Sequence, residues 1–280
     1  MLEIARQTCF DGQQLRFQHR SQVLDCSMRF SLYLPPQAQQ QPVPVLFWLS
    51  GLTCTDENFV QKAGAQQFAA REGLAILAPD TSPRGDGVAD DPEGGWDFGL
   101  GAGFYVDATE APWASHYRMA SYVRGELPAL LAEHFPMLQT RYGIAGHSMG
   151  GHGAITLGLK NPGLFHSISA FAPISSPLHC PWGQKALSGY LGADKALWQQ
   201  SDSCWLIANG AAKTPLLVDQ GSDDGFLEEQ LQPERLRRAC EQAGHPLQLR
   251  MRDGYDHSYF FIATFIGEHI AYHAGLLCSQ

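Results

Sequence analysis

The chain is poor in charge, and poorest in positive charge. Of its 280 residues only 17% are Asp, Glu, Lys or Arg, and 19 Lys and Arg stand against 28 Asp and Glu. A formal net charge of −9 leaves no basic surface to neutralise a phosphate backbone, so a nucleic-acid partner is not expected. A hydrophobic share of 44% likewise excludes a disordered chain, because that much apolar surface is ample for a buried core. The seven cysteines are odd in number and nowhere spaced as CxxC, which fits neither a disulfide framework nor a zinc site. Reduced thiols in a cytoplasmic protein are the simplest account. Residues 1–7 show no basic stretch running into an apolar one, so no secretory signal is expected. No apolar run nears the roughly 18 residues of a membrane span, so no membrane partner is expected either. What remains is a globular protein with a small-molecule partner.

No internal repeat or long linker divides the chain, and a single α/β domain over residues 1–280 is expected. Apolar runs at Val43–Leu49, Leu74–Ala78, Ser167–Phe171 and Pro215–Val218 have the length of buried strands. Between them lie helical patterns at Thr55–Arg71, Tyr117–His134, Gly151–Lys160 and Pro233–Ala243, with Thr55 as N-cap of the first and a bend expected at Pro128 in the second. A last helix is expected over Ser258–His273, where His269 and His273 read as surface or packing residues. Strands alternating with helices imply a mostly parallel, twisted sheet with helices on both faces. The short Pro/Gln segment Leu34–Pro42 reads as a hairpin loop between the strands Met28–Leu34 and Val43–Leu49. Two long stretches, Pro79–Trp113 and Pro173–Leu206, read as aromatic-bearing loops of the kind that form lids and binding walls.

Chemistry enters at Gly146-His147-Ser148-Met149-Gly150. A strand end precedes it and a helix opening on small residues follows. In that context G-x-S-x-G presents a serine on a strained turn above the sheet. A serine hydroxyl needs a base to take its proton and an acid to orient that base, here in the order Ser, Asp or Glu, His. His257, in a polar turn between the strand Leu247–Arg252 and the last helix, is placed to be that base. The acid should follow Pro215–Val218, where Asp219, Asp223 and Asp224 are available; Asp256 adjoins His257 but would be badly aimed. The oxyanion of a tetrahedral intermediate needs two backbone N–H donors. Met149 supplies one, and the loop Ser50–Cys54 the other, from Leu52 or, second to it, Thr53. Cys54 is a pocket residue rather than a nucleophile, although the start of a helix is a position that lowers a thiol pKa.

Taken together, several segments resemble the S-formylglutathione hydrolase (esterase D) family along nearly the whole chain. They are Leu49-Ser50-Gly51-Leu52-Thr53-Cys54, Pro79-Asp80-Thr81-Ser82-Pro83-Arg84-Gly85, the run 99–109, Gly146-His147-Ser148-Met149-Gly150-Gly151-His152-Gly153, the run 180–186, Asp219-Gln220-Gly221 and the run 255–262. The resemblance implies an α/β-hydrolase fold and a cytoplasmic serine thioesterase, dimeric in many members. Such an enzyme splits S-formylglutathione into glutathione and formate with no cofactor or metal. It implies Ser148, Asp224 and His257 as the triad, because the family's aspartate stands one residue before Phe-Leu, as in Asp224-Gly225-Phe226-Leu227. Family members mostly carry Gln at the position of Gly225, a departure expected to loosen the acid's loop. Trp182, with Gln184 and Lys185 behind it, is the segment expected to meet the glutathione moiety. Rival readings are a short-chain carboxylesterase, an acyltransferase of the same fold, and a non-catalytic binding protein, which would typically lack the serine or the histidine that this chain has.

Overall fold

Every residue of Val43–Leu49 (β4) is buried, because a strand of apolar side chains must be covered on both faces. In the computed structural model, which describes residues 1–278, β4 lies inside a nine-stranded sheet of order β1-β2-β3-β5-β4-β6-β7-β8-β9. The other strands are Leu2–Cys9 (β1), Gly12–Arg20 (β2), Ser27–Leu34 (β3), Ala75–Pro79 (β5), Leu138–His147 (β6), Phe165–Phe171 (β7), Leu216–Gly221 (β8) and Leu247–Arg252 (β9). From β5 to β9 the sheet is parallel, and the first three strands extend it antiparallel.

The expected hairpin across Leu34–Pro42 does not form. β3 pairs with β5, Phe30 opposite Pro79, and β4 lies beyond β5. The wholly apolar β4 takes a position where both its faces are covered, and the proline-bearing link, with a 3₁₀ turn at Pro36–Gln39, carries the chain across. β1 and β2 have no counterpart in the sequence reading, since β1 is largely exposed and shows no apolar run.

Helices Asp56–Lys62 (α1) and Gln66–Glu72 (α2) replace the single one expected, because Gly64 at φ 62 breaks it. Thr55 does cap α1, in a capping box with Asn58. The expected bend at Pro128 appears as a π-helical turn, Tyr122–Glu126, between Met119–Ser121 (α3) and Leu127–His134 (α4). Proline offers no N–H to the carbonyl four residues back, and the widened turn absorbs that loss. Met149–Lys160 (α5) follows β6 directly, and Pro233–Ala243 (α9) precedes β9. The stretch Pro173–Leu206 is a helical cap rather than a loop, with helices Pro181–Leu191 (α6), Lys195–Gln199 (α7) and Ser203–Ala208 (α8). Asp194 and Asp202 are the N-caps of the last two, a signal present in the sequence and unused there.

The final helix, Tyr259–Leu277 (α10), is long and apolar enough to cross a membrane by length and composition, with a hydropathy of 1.2. That exceeds the apolar stretches foreseen from the sequence, but the helix is docked on the sheet and buries Phe261, Ile262, Ile266 and Ile270. His269 and His273 are fully buried with them. His273 joins Ser167 at 2.6 Å and Ser169 at 2.8 Å, while His269 joins Ser169 at 2.9 Å and stands 3.5 Å from Asp219.

Burial lowers the pKa of both histidines, and that of His152 to about 4. Below the free histidine value near 6.5 the unfolded chain therefore binds protons that the folded chain refuses. Their contribution to stability is complete above that value. It is lost as pH falls from there toward the folded pKa, at about 1.4 kcal/mol per pH unit for each such histidine. Calorimetry should show the melting temperature falling steadily from pH 7 to pH 5, and a flat profile would contradict the neutral burial of these rings.

Candidate active site

Ser148 directly follows β6 and caps α5 at φ 59, ψ −120, a backbone conformation that ordinary residues avoid. The turn is held by its own backbone: Ser148 N–H donates to Phe171 O at 3.0 Å, and its carbonyl accepts from His152 at 3.0 Å. Glycine is required on both sides. A Cβ at Gly150 would run into the Leu49 carbonyl, and one at Gly146 into that of Gly150.

His257 lies just ahead of α10, whose N-cap is Ser258. Its Nδ1 meets Asp224 Oδ2 at 2.6 Å. An ionised carboxylate only accepts, so Nδ1 carries the proton and Nε2 is left as the free base. Asp224 is fixed in turn: its Oδ1 accepts from Phe226 N–H at 2.9 Å and its Oδ2 from Gln220 Nε2 at 3.2 Å. The other aspartates are engaged elsewhere. Asp219 sits in β8 against Arg250 and Arg252, Asp223 is exposed beside Ser222, and Asp256 receives the N–H and hydroxyl of Ser258. A Cβ at Gly225 would meet nothing within 4 Å.

Ser148 and His257 line one cavity of about 240 Å³. No direct hydrogen bond joins them among the described residues, as is common before a substrate aligns such a pair. Gly51 lets the neighbouring loop come close: a Cβ there would stand 3.1 Å from Ser148 Cβ. Thr53 N–H is already given to Gly101 O at 2.9 Å, so the second-choice donor is engaged elsewhere, whereas Leu52 lines the cavity. The motif segments without chemistry of their own hold this loop. Thr81 Oγ1 and Arg84 Nη2 donate to Cys54 O at 2.5 and 3.1 Å, and Tyr105 OH donates to Ser50 O at 2.9 Å. Tyr105 also packs against Gly153 of α5, where even a Cβ would collide with its ring.

Cys54 and Trp182 both line the cavity. The lowered thiol pKa expected from the start of α1 is not found. Burial pushes the Cys54 thiol up and outweighs the neighbouring Tyr259 hydroxyl and Lys62 charge. Trp182 forms an aromatic wall with Trp96 (5.4 Å) and Phe226 (4.8 Å), and Phe226 stands edge-on to His257 at 5.1 Å. Gln184 and Lys185 do not face the site: Gln184 bonds Leu178 O, and Lys185 bridges Asp91 and Asp97. Sequence reasoning missed Trp96, Phe226 and His147. The last is nearly buried with its ring centroid 4.4 Å from that of His257, and burial holds its pKa well below the histidine range. Its place beside the serine in the motif was the available signal.

Residues 21–272 match the Esterase family model. The S-formylglutathione hydrolases of Mus musculus and Rattus norvegicus are 52% and 51% identical to the chain over 277 residues, 98% of this chain and 98% of each relative. The chain belongs to the S-formylglutathione hydrolase family. A solved S-formylglutathione hydrolase from Agrobacterium tumefaciens is 48% identical, covers 99% of this chain with 100% of its own, and matches with a TM-score of 0.97. The α/β-hydrolase fold expected from the sequence is thus shared with the S-formylglutathione hydrolase family from end to end.

Proposed function

We propose that the protein hydrolyses S-formylglutathione to glutathione and formate, with Ser148 as nucleophile, His257 as base and Asp224 as the acid that orients it. The observation that carries this reading is the buried carboxylate of Asp224 on His257 Nδ1 at 2.6 Å, beside a cavity that the strained Ser148 shares. Ser148 Oγ attacks the formyl carbon while His257 Nε2 takes its proton. The resulting oxyanion is held by the N–H groups of Leu52 and Met149. Collapse expels the glutathione sulfur, which receives the proton from His257. A water then gives its proton to His257, attacks the formyl ester, and releases formate as Ser148 regains its hydrogen. A cavity of about 240 Å³ accepts the formyl thioester and leaves much of the tripeptide to lie across the rim. The same family resemblance supports a single-domain, homodimeric enzyme of the cytoplasm.

A second reading, a short-chain carboxylesterase, draws on the largely apolar and aromatic wall. Comparison of kcat/KM for S-formylglutathione and p-nitrophenyl acetate separates the two. The thioester should be preferred by more than about tenfold, a difference of about 1.4 kcal/mol in transition-state binding. A preference for the acetate would establish the second reading instead.

A further inference from the structure

The leaving group of the proposed reaction carries two carboxylates and one ammonium, and so a net negative charge. Among the described residues no side chain with a fixed charge lines the cavity around Ser148. A carboxylate laid against an apolar wall without a partner loses hydration and gains nothing in return, so its partner must stand at the rim. Arg84, Lys185 and Lys62 are cations that touch lining residues or their immediate chain neighbours. Arg84 is engaged by Asp80, at 3.0 Å, and by the Cys54 carbonyl. Lys185 is neutralised twice, by Asp91 at 3.0 Å and Asp97 at 2.5 Å. Lys62, in the last turn of α1, is exposed and has no carboxylate partner among the described residues. The acids of its own helix do not serve it, since Asp56 and Glu57 both pair with Arg16 at 2.7 Å.

Lys62 also stands in the right place. Its Nζ lies 5.5 Å from the centroid of the Tyr259 ring, and its charge is felt by the Cys54 thiol; both residues line the cavity. An aromatic face steadies the ammonium, and the long stem leaves it free to move onto a ligand.

We propose that Lys62 receives a carboxylate of the glutathione moiety and so selects this thioester over uncharged esters, an inference that rests on the S-formylglutathione reading above. The test uses the purified enzyme with Lys62→Met, Lys62→Glu and Lys62→Arg. For S-formylglutathione, Lys62→Met should raise KM about three- to tenfold with kcat little changed, as for loss of one partly exposed charge-assisted contact. Lys62→Glu should raise it further, and Lys62→Arg should restore most of the loss. The ratio of kcat/KM for S-formylglutathione to that for p-nitrophenyl acetate should fall by the same factor, because the acetate has no carboxylate. Added salt should raise KM in the wild type and leave Lys62→Met nearly unmoved. An unchanged ratio in both the Met and Glu variants, with melting temperatures like wild type, would overturn the inference and leave the proposed reaction standing. Wild-type enzyme that cleaves p-nitrophenyl acetate but not S-formylglutathione would overturn both.

Discussion

Ser148→Ala is expected to lower kcat for S-formylglutathione by about 10³- to 10⁶-fold, the range seen when a nucleophile is deleted from a serine triad. The fold should survive. Among the described residues the Ser148 hydroxyl makes no hydrogen bond, and the strained turn is maintained by backbone contacts to Phe171 and His152 and by the glycines on either side. Removing the oxygen therefore takes nothing from the packed structure, and the melting temperature should stay close to wild type. His257→Ala should cost a similar factor, and the double variant little more than either, because groups that act as one unit fail together. Turnover by Ser148→Ala above a few per cent of wild type, or labelling of that variant by a fluorophosphonate, would remove Ser148 from the reaction.

Asp224→Asn is expected to be nearly as damaging, with a loss in kcat of about 10⁴-fold, the cost of an amide at the corresponding place in other triads. Asp223→Asn should stay within about twofold, as surface changes usually do. The contrast follows from geometry. Asp224 reaches His257 Nδ1 from a buried position, whereas Asp223 is exposed and turned to Ser222. An amide cannot accept from Nδ1 as strongly and can donate to it, which places the proton on the wrong nitrogen. The reverse ranking, measured as kcat at saturating substrate, would move the role to Asp223.

How much of this was legible in the sequence depends on how local the cause was. The turn at Ser148 could be read because its demands fall on residues within a few positions of it, namely Gly146 and Gly150. The same holds for Thr55 as a cap. Strand neighbours could not be read, because whether β3 lies beside β4 or β5 is decided by which faces each must bury. The acid stayed open among three aspartates on the residues alone, since what separates them is their partners: Arg250 for Asp219, Ser222 for Asp223, His257 for Asp224. Cys54 shows the opposite failure. Its place near a helix start was read correctly, yet burial outweighed that local influence on the thiol. Lys185 fell outside the site because its acidic partners lie in a loop some ninety positions away in the chain.

Ser148, Asp224 and His257 stand at the ends of β6, β8 and β9, whereas Trp96 and Trp182 come from the long segment after β5 and from the cap after β7. The proposed reacting groups are thus held by the sheet and the enclosing wall by insertions between its strands. Such an arrangement separates what can drift from what cannot. Mutations that resize or rechart the wall can accumulate over generations without disturbing the proton path, so the lineage can explore new acyl donors while keeping one reaction. A directed-evolution library for altered specificity is best confined to those two insertions.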